Sequence, residues 1–236
     1  MPAANTEPDE IAHFNRLAEL WWDPHGKMGQ LHRINPLRSR FILERTPGPA
    51  PRVLDVGCGG GILTESLSRA GAVVTGIDKA VLPLDIARRH AATAGLSIDY
   101  RLTGAEQLAG QLPGHFDAVT CLEMLEHVPH PERIVAACAT LLKPGGHAFF
   151  STINRTPKAF LCAILIGEYV LGLLPRGTHH YRKLIRPAEL RTWASAAGLT
   201  FSDVASLKYN PLSRRFRRVD GCVDINYLVC CSKRGA

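Results

Sequence analysis

No Cys-x-x-Cys pair occurs among the seven cysteines, and their number is odd. Both features argue against a disulfide framework or a zinc knuckle and fit a reducing compartment. No uninterrupted apolar run reaches the ~20 residues that a helix spanning a bilayer needs. The stretch Met1 to Asp9 is polar and acidic, without the apolar centre of a secretory signal, so none is expected. Internal repeats and low-complexity linkers are missing too. One domain is therefore the economical organisation for 236 residues, of which 46% are hydrophobic and able to fill a core. The net charge of +7 is concentrated locally, in Arg182, Lys183 and Arg186 and again in Arg214, Arg215, Arg217 and Arg218. Such clusters are either a solvated face or a surface for a polyanion, nucleic acid or an anionic membrane.

Phosphate-binding machinery is also absent. Val53-Leu54-Asp55-Val56 has strand composition and runs into Gly57-Cys58-Gly59-Gly60-Gly61, after which Ile62 to Leu67 resumes with helical apolar spacing. A strand, a glycine turn and a helix start form a geometry in which backbone amides can face a ligand. A dinucleotide fingerprint would need a third glycine where Ile62 stands, and a P-loop would need Gly-Lys-Ser/Thr. Asp78 ends the next strand-like run, Val73 to Ile77, near the offset at which an acidic residue meets ribose hydroxyls. The combination points to an adenosine ligand without phosphate; the plainer reading is a βα turn whose glycines serve packing.

Upstream, Ile11, Phe14, Leu17, Ala18 and Trp21 share one helix face, and a stop is expected near Trp22-Asp23-Pro24. A second helix is expected over Leu31 to Leu43, with Asn35-Pro36 as a candidate interruption. Lying before the first strand, the two helices are expected to form a lid over the carboxyl edge of a sheet, where ligands bind in open α/β folds. Further on, strands and helices alternate as βαβα units require. Helices are expected at 60–69, 83–94, 131–142 and 187–197, and strands at 97–102, 116–121, 147–153, 200–207 and 223–231. Between the strand ending at Ile153 and the helix from Pro187 lies an insertion, Asn154 to Arg186. Its apolar centre, Ala159 to Leu174, is interrupted by Glu168 and flanked by Arg155, Lys158 and Arg176. It reads as an interfacial helix or a lid over an apolar substrate, or as a core helix.

Glu123, Glu126 and His127 follow the fourth strand of the core. On a helical turn they would share one side. Two carboxylates and an imidazole could then hold a divalent cation, magnesium or zinc, that acidifies a bound hydroxyl. His127 could instead act alone as a general base, or the group could simply stabilise a helix start.

Trp21-Trp22-Asp23, Leu31-His32-Arg33-Ile34-Asn35-Pro36-Leu37-Arg38, Leu54 to Gly61, Glu123-Met124-Leu125-Glu126-His127-Val128 and Lys143-Pro144-Gly145-Gly146 together resemble the ubiquinone-biosynthesis O-methyltransferases. The resemblance covers nearly the whole chain, through Tyr209-Asn210-Pro211 and Val223 to Tyr227. It implies a Rossmann-like class I methyltransferase fold: α/β, a mostly parallel seven-stranded sheet with helices on both faces. It also implies S-adenosylmethionine as cofactor and ring hydroxyls of polyprenylated phenols as substrate. Carried over by motif position, Arg38, Gly57, Asp78 and Leu122 line the cofactor site, with Arg38 on the methionine carboxylate. Glu123, Glu126 and His127 match metal positions proposed for eukaryotic members, and His127 is the candidate catalytic base. A substrate held in the bilayer implies peripheral contact with anionic lipid on the cytoplasmic face, and a biosynthetic complex is a further candidate partner. Two rivals stand beside this. An RNA methyltransferase would need a basic-aromatic platform, which is not evident, so no nucleic acid is expected; a non-catalytic cofactor-binding subunit would have lost the Glu123–His127 cluster.

Overall fold

The computed structural model describes residues 5–46, 48–161, 181–213 and 215–235. Most of the apolar insertion centre, from residue 162 to 174, therefore lies outside the described residues. The chain enters through α1 (Pro8–Leu17), a short 3-10 turn (Ala18–Leu20) and α2 (Gly29–Leu43). The core then runs β1 (Arg52–Val56), α3 (Ile62–Arg69), β2 (Val73–Asp78), α4 (Val81–Thr93), β3 (Asp99–Leu102), α5 (Ala105–Gln111), β4 (Phe116–Leu122), α6 (Pro131–Leu141) and β5 (Leu142–Ile153). After a single helical turn, α7 (Pro157–Ala159), follow α8 (Pro187–Ala196), β6 (Leu199–Asn210), β7 (Arg215–Asp220) and β8 (Asn226–Lys233).

The strands form one sheet in the order β3-β2-β1-β4-β5-β8-β6-β7. The first five run parallel, and β8, β6 and β7 add antiparallel pairings. The sheet has eight strands among the described residues, one more than expected. The extra strand is β7, formed by the arginine-rich segment for which no strand was expected. Its arginines are compatible with an edge position, where charge discourages further pairing. Strand order reverses between β1 and β4, whose carboxyl ends lie side by side through the Val56–Cys121 pairing. Ligands of open α/β sheets bind at such a switch point.

Period-two alternation sends side chains from each strand to opposite faces. Leu54, Val56, Phe116, Val119 and Phe150 join the core beneath α5, α6 and α8, whereas Val53, Val74, Ala118 and Phe149 pack under α2 and α3. Phe149 is fully buried and meets Phe41 of α2 edge-on at 6.1 Å. Phe149→Ala is expected to cost about 3–5 kcal/mol, the range for deleting a buried aromatic; denaturant unfolding measures it.

α2 passes through Pro36 without a break. Tertiary contacts compensate for the missing amide: Asn35 Nδ2 donates to Ile62 O at 3.1 Å and to Ser66 Oγ at 2.6 Å, pinning α2 on α3. The expected stop after Trp22 holds, though the last turn before it is 3-10. α5 was not anticipated, being only seven residues long. Among the described residues no helix is long and apolar enough to cross a membrane.

Candidate active site

Gly57, Gly59 and Gly61 have φ of 70°, 52° and 87°, left-handed values that side chains resist. A Cβ on Gly57 would sit 2.6 Å from Met124 Cγ, and one on Gly59 or Gly60 would collide with the Trp21 ring. Glycine is thus required both by turn geometry and by close approach. The turn's amides are used internally. Those of Gly57 and Cys58 donate to Ile77 O at 2.9 and 3.0 Å, that of Gly59 to Asp78 Oδ2 at 2.8 Å, and that of Gly61 to Cys58 O at 3.0 Å. The expectation that these amides face a ligand is therefore corrected for these four, and an open ring of amide donors for phosphate is not what they form.

Asp78 is held from both sides, since its Oδ1 also accepts from Ala80 N at 2.8 Å. Burial pushes its carboxyl above the usual range, against the opposing pull of these amides. Asp55, which points from β1 toward α3, accepts from Thr64 Oγ1 and Thr120 Oγ1, both at 2.7 Å, and burial raises its carboxyl likewise. Arg38 is 5% exposed. Burial lowers its pKa, while the charges of Glu123 and Asp55 work to restore it. Its Nε has no hydrogen-bond partner, an unsatisfied buried donor on the wall of the cavity. Leu122, at the end of β4, lines the same wall.

The Glu123, Glu126 and His127 group departs from the expected arrangement. Glu123 is not helical; its φ is 52°, and only at Leu125 does a 3-10 turn begin. The helical spacing that would place the three side chains together does not apply. Glu123 Oε1 instead accepts from Ser151 Oγ at 2.6 Å. Glu126 is buried but does not line the cavity, and its charge acts on Cys121 and Tyr227. His127 lines the cavity, with Nδ1 3.1 Å from Glu10 Oε2 of α1 and its ring edge-on to Phe14 at 5.1 Å. Among the described residues no group of three His, Cys, Asp or Glu side chains could hold a metal ion. The metal set expected from sequence thus does not assemble among the described residues.

The cavity has a volume of about 590 Å³ and reaches from the glycine turn past Glu123 and His127 to the β6–β7 hairpin. The N-terminal segment closes over it. Asn5 Nδ2 donates to Glu106 Oε1 and to His130 O, both at 2.9 Å, and Trp22 Nε1 donates to Gly60 O at 2.8 Å. Lys183 Nζ reaches Glu7 Oε2 at 2.6 Å and Glu10 Oε1 at 3.1 Å. Burial pushes Glu10 up, but His127 and Lys183 together outweigh it and hold the carboxyl at about 2.

A family profile described as "Methyltransferase domain" matches residues 16–204. The ubiquinone biosynthesis O-methyltransferase of Nitrosococcus oceani is 53% identical over 230 residues, 98% of this chain and 97% of that protein. Its counterpart from Azotobacter vinelandii is 52% identical over 226 residues, 96% of this chain and 97% of that one. The chain belongs to the ubiquinone biosynthesis O-methyltransferase family. It is an enzyme, and its fold is that of the class I methyltransferases. Among solved structures, magnesium protoporphyrin IX methyltransferase from Synechocystis with bound SAH superposes with a TM-score of 0.69 at 18% identity, covering 94% of both chains. At that identity the likeness concerns the fold alone.

The cradle fits the cofactor of this family, S-adenosylmethionine. Asp78 stands at the end of β2 on the cavity wall, and the buried Arg38 Nε on that wall has no hydrogen-bond partner, while the Cβ space over Gly59 and Gly60 is taken by Trp21. Sequence reasoning missed Glu10, Asn5 and Ser151 as site components. Their partners lie 117, 125 and 28 residues away, and nothing local marks them. Trp21, Met124 and Asp55 were within motifs already singled out, and their contacts emerge only in three dimensions.

Proposed function

We propose that this enzyme transfers the methyl group of S-adenosylmethionine to a ring hydroxyl of a polyprenylated phenol in ubiquinone biosynthesis. The observation that carries the reading is that the glycine turn with Asp78, the Glu10–His127 pair and a long apolar wall share one cavity. When bound, S-adenosylmethionine supplies a methyl group on a positively charged sulfur, already activated toward attack. Asp78 receives the ribose hydroxyls, Arg38 offers its donors to the methionine carboxylate, and Gly57 and Leu122 complete the wall. A phenol has a pKa of about 10, so at neutral pH it needs a proton acceptor to become a good nucleophile. His127 takes that proton. An ionised carboxylate only accepts hydrogen bonds, so Glu10 fixes the hydrogen on Nδ1 and leaves Nε2 as the nitrogen that receives the phenol proton. α1 and α2 act as a lid that excludes water and aligns the reacting oxygen, a contribution as large as the base itself.

The apolar wall favours this reading over an RNA methyltransferase, and the Glu10–His127 pair favours it over a non-catalytic subunit. In a strain lacking the gene, mass spectrometry is expected to find prenylated phenols that are hydroxylated but unmethylated, with methylation restored by the wild-type gene. Normal ubiquinone in that strain would sink the proposal.

A substrate with a polyprenyl tail resides in the bilayer, so the enzyme docks peripherally on the cytoplasmic face of the membrane. Of the apolar insertion, Ala159 is buried, Phe160 packs edge-on to Tyr181 at 5.4 Å, and Leu161 is 53% exposed. Flanking cations add about 1 kcal/mol each near anionic lipid. The protein is expected to float with anionic vesicles at low salt and to release them at high salt; indifference to such vesicles at low salt would remove the membrane contact from the proposal. A place in a biosynthetic complex would suit the handover of so insoluble a substrate.

A further inference from the structure

The cavity continues well beyond the groups that do chemistry. Glu123 and His127 follow β4, while Tyr209 and Phe216 lie on β6 and β7, three and four strands further across the sheet. At ~4.8 Å per strand these positions are roughly 14 and 19 Å from β4. A ring held at His127 makes aromatic contacts over only about 4.5–7 Å. The same ring cannot touch both ends of the cavity.

The far end is built for apolar matter. Tyr209 and Phe216 are cross-strand partners, half-buried, with ring centroids 5.0 Å apart, and both line the cavity. Ile153, Leu207, Pro211 and Ile225 line it with them. The nearby charges are paired: Asp224 accepts from Lys158 Nζ at 2.6 Å and lies 3.3 Å from Lys208 Nζ, two cations sharing one carboxylate. At the hairpin tip Leu212, outside the cavity lining, is 95% exposed.

We infer that the β6–β7 hairpin is the subsite for the substrate's isoprenoid tail, and that Tyr209 and Phe216 are the residues that select a tailed phenol over a bare ring. The inference rests on the proposed reading that the substrate is a prenylated phenol. The paired rings and the aliphatic residues line this end of the cavity together. A flexible tail loses entropy on being ordered, which apolar burial against two aromatics offsets. Selectivity arises here because a bare catechol gains nothing from this subsite, whereas every tail carbon it covers leaves water.

The test compares two catechols, one bare and one carrying a short isoprenoid chain, using the full-length protein. Wild type is expected to show higher kcat/KM on the tailed catechol. In the double variant Tyr209→Ala/Phe216→Ala that advantage should shrink by roughly tenfold or more, as expected for loss of an apolar pocket contact, with kcat/KM on the bare catechol unchanged. Unchanged S-adenosylmethionine affinity by calorimetry certifies the fold. Should the double variant lose that affinity, Phe216→Asp alone takes its place, at a half-buried edge position. Equal loss on both catechols, or no wild-type preference for the tail, overturns the inference. Wild-type methylation of the bare catechol with none of the tailed one overturns the underlying substrate reading instead.

Discussion

His127→Gln is expected to lower kcat by about 10²–10⁴-fold, the range that a positioned general base contributes, while S-adenosylmethionine affinity stays as in wild type. Glutamine keeps a polar side chain near Glu10 but cannot take a proton. His127 is 8% exposed and touches Phe14, so a packing defect has to be separated from a chemical one. The cofactor affinity makes that separation, because Asp78 ends β2 and the glycine turn follows β1, neither being on the 3-10 turn of His127. Raising the pH should partly rescue the variant, since hydroxide ionises the phenol without help. Turnover equal to wild type at neutral pH would leave the Glu10–His127 pair a structural clasp between α1 and the core.

Asp78→Ala is expected to weaken S-adenosylmethionine binding by at least about 1.5–3 kcal/mol, or roughly tenfold to a hundredfold, the scale of hydrogen bonds to a charged group. The structure gives two reasons for a loss at the upper end. The carboxylate lines the cavity, where the proposed reading has it accept the ribose hydroxyls, and it also fixes the Gly59 and Ala80 amides at 2.8 Å each. Its removal strips those two donors of their partner and loosens a turn whose glycines already sit at positive φ. Asp78→Asn keeps one acceptor oxygen and should lose less. Calorimetry reads both variants directly; affinity unchanged in Asp78→Ala would remove this residue from the cofactor site.

Most of the parallel half of the sheet was legible because its strands are apolar runs bounded by glycine or proline turns, although β3 is half charged and the Lys79-Ala80 turn holds neither. Gly57 to Gly61 and Asp78 could be placed from sequence because a strand and the turn after it are local features. β7 was hidden because Arg215 and Arg217 give an edge strand the composition of a loop. The metal arrangement expected of Glu123, Glu126 and His127 assumed a helix; the left-handed backbone at Glu123 and the hydrogen bond from Ser151 are consequences of packing against β5 that no local pattern encodes. Glu10 was invisible for a related reason. Its role depends on α1 folding across the sheet edge to meet His127 and Lys183, and charge on an amphipathic helix ordinarily signals only a solvated face.

The most direct measurement is made on the purified protein with S-adenosylmethionine carrying an isotopically labelled methyl group and a catechol bearing an isoprenoid chain. The expected product carries one labelled methyl on a ring oxygen, identified by mass and fragmentation, and His127→Gln yields no such product on the same timescale. Label on carbon, or no transfer to the tailed catechol by wild-type protein, would contradict it.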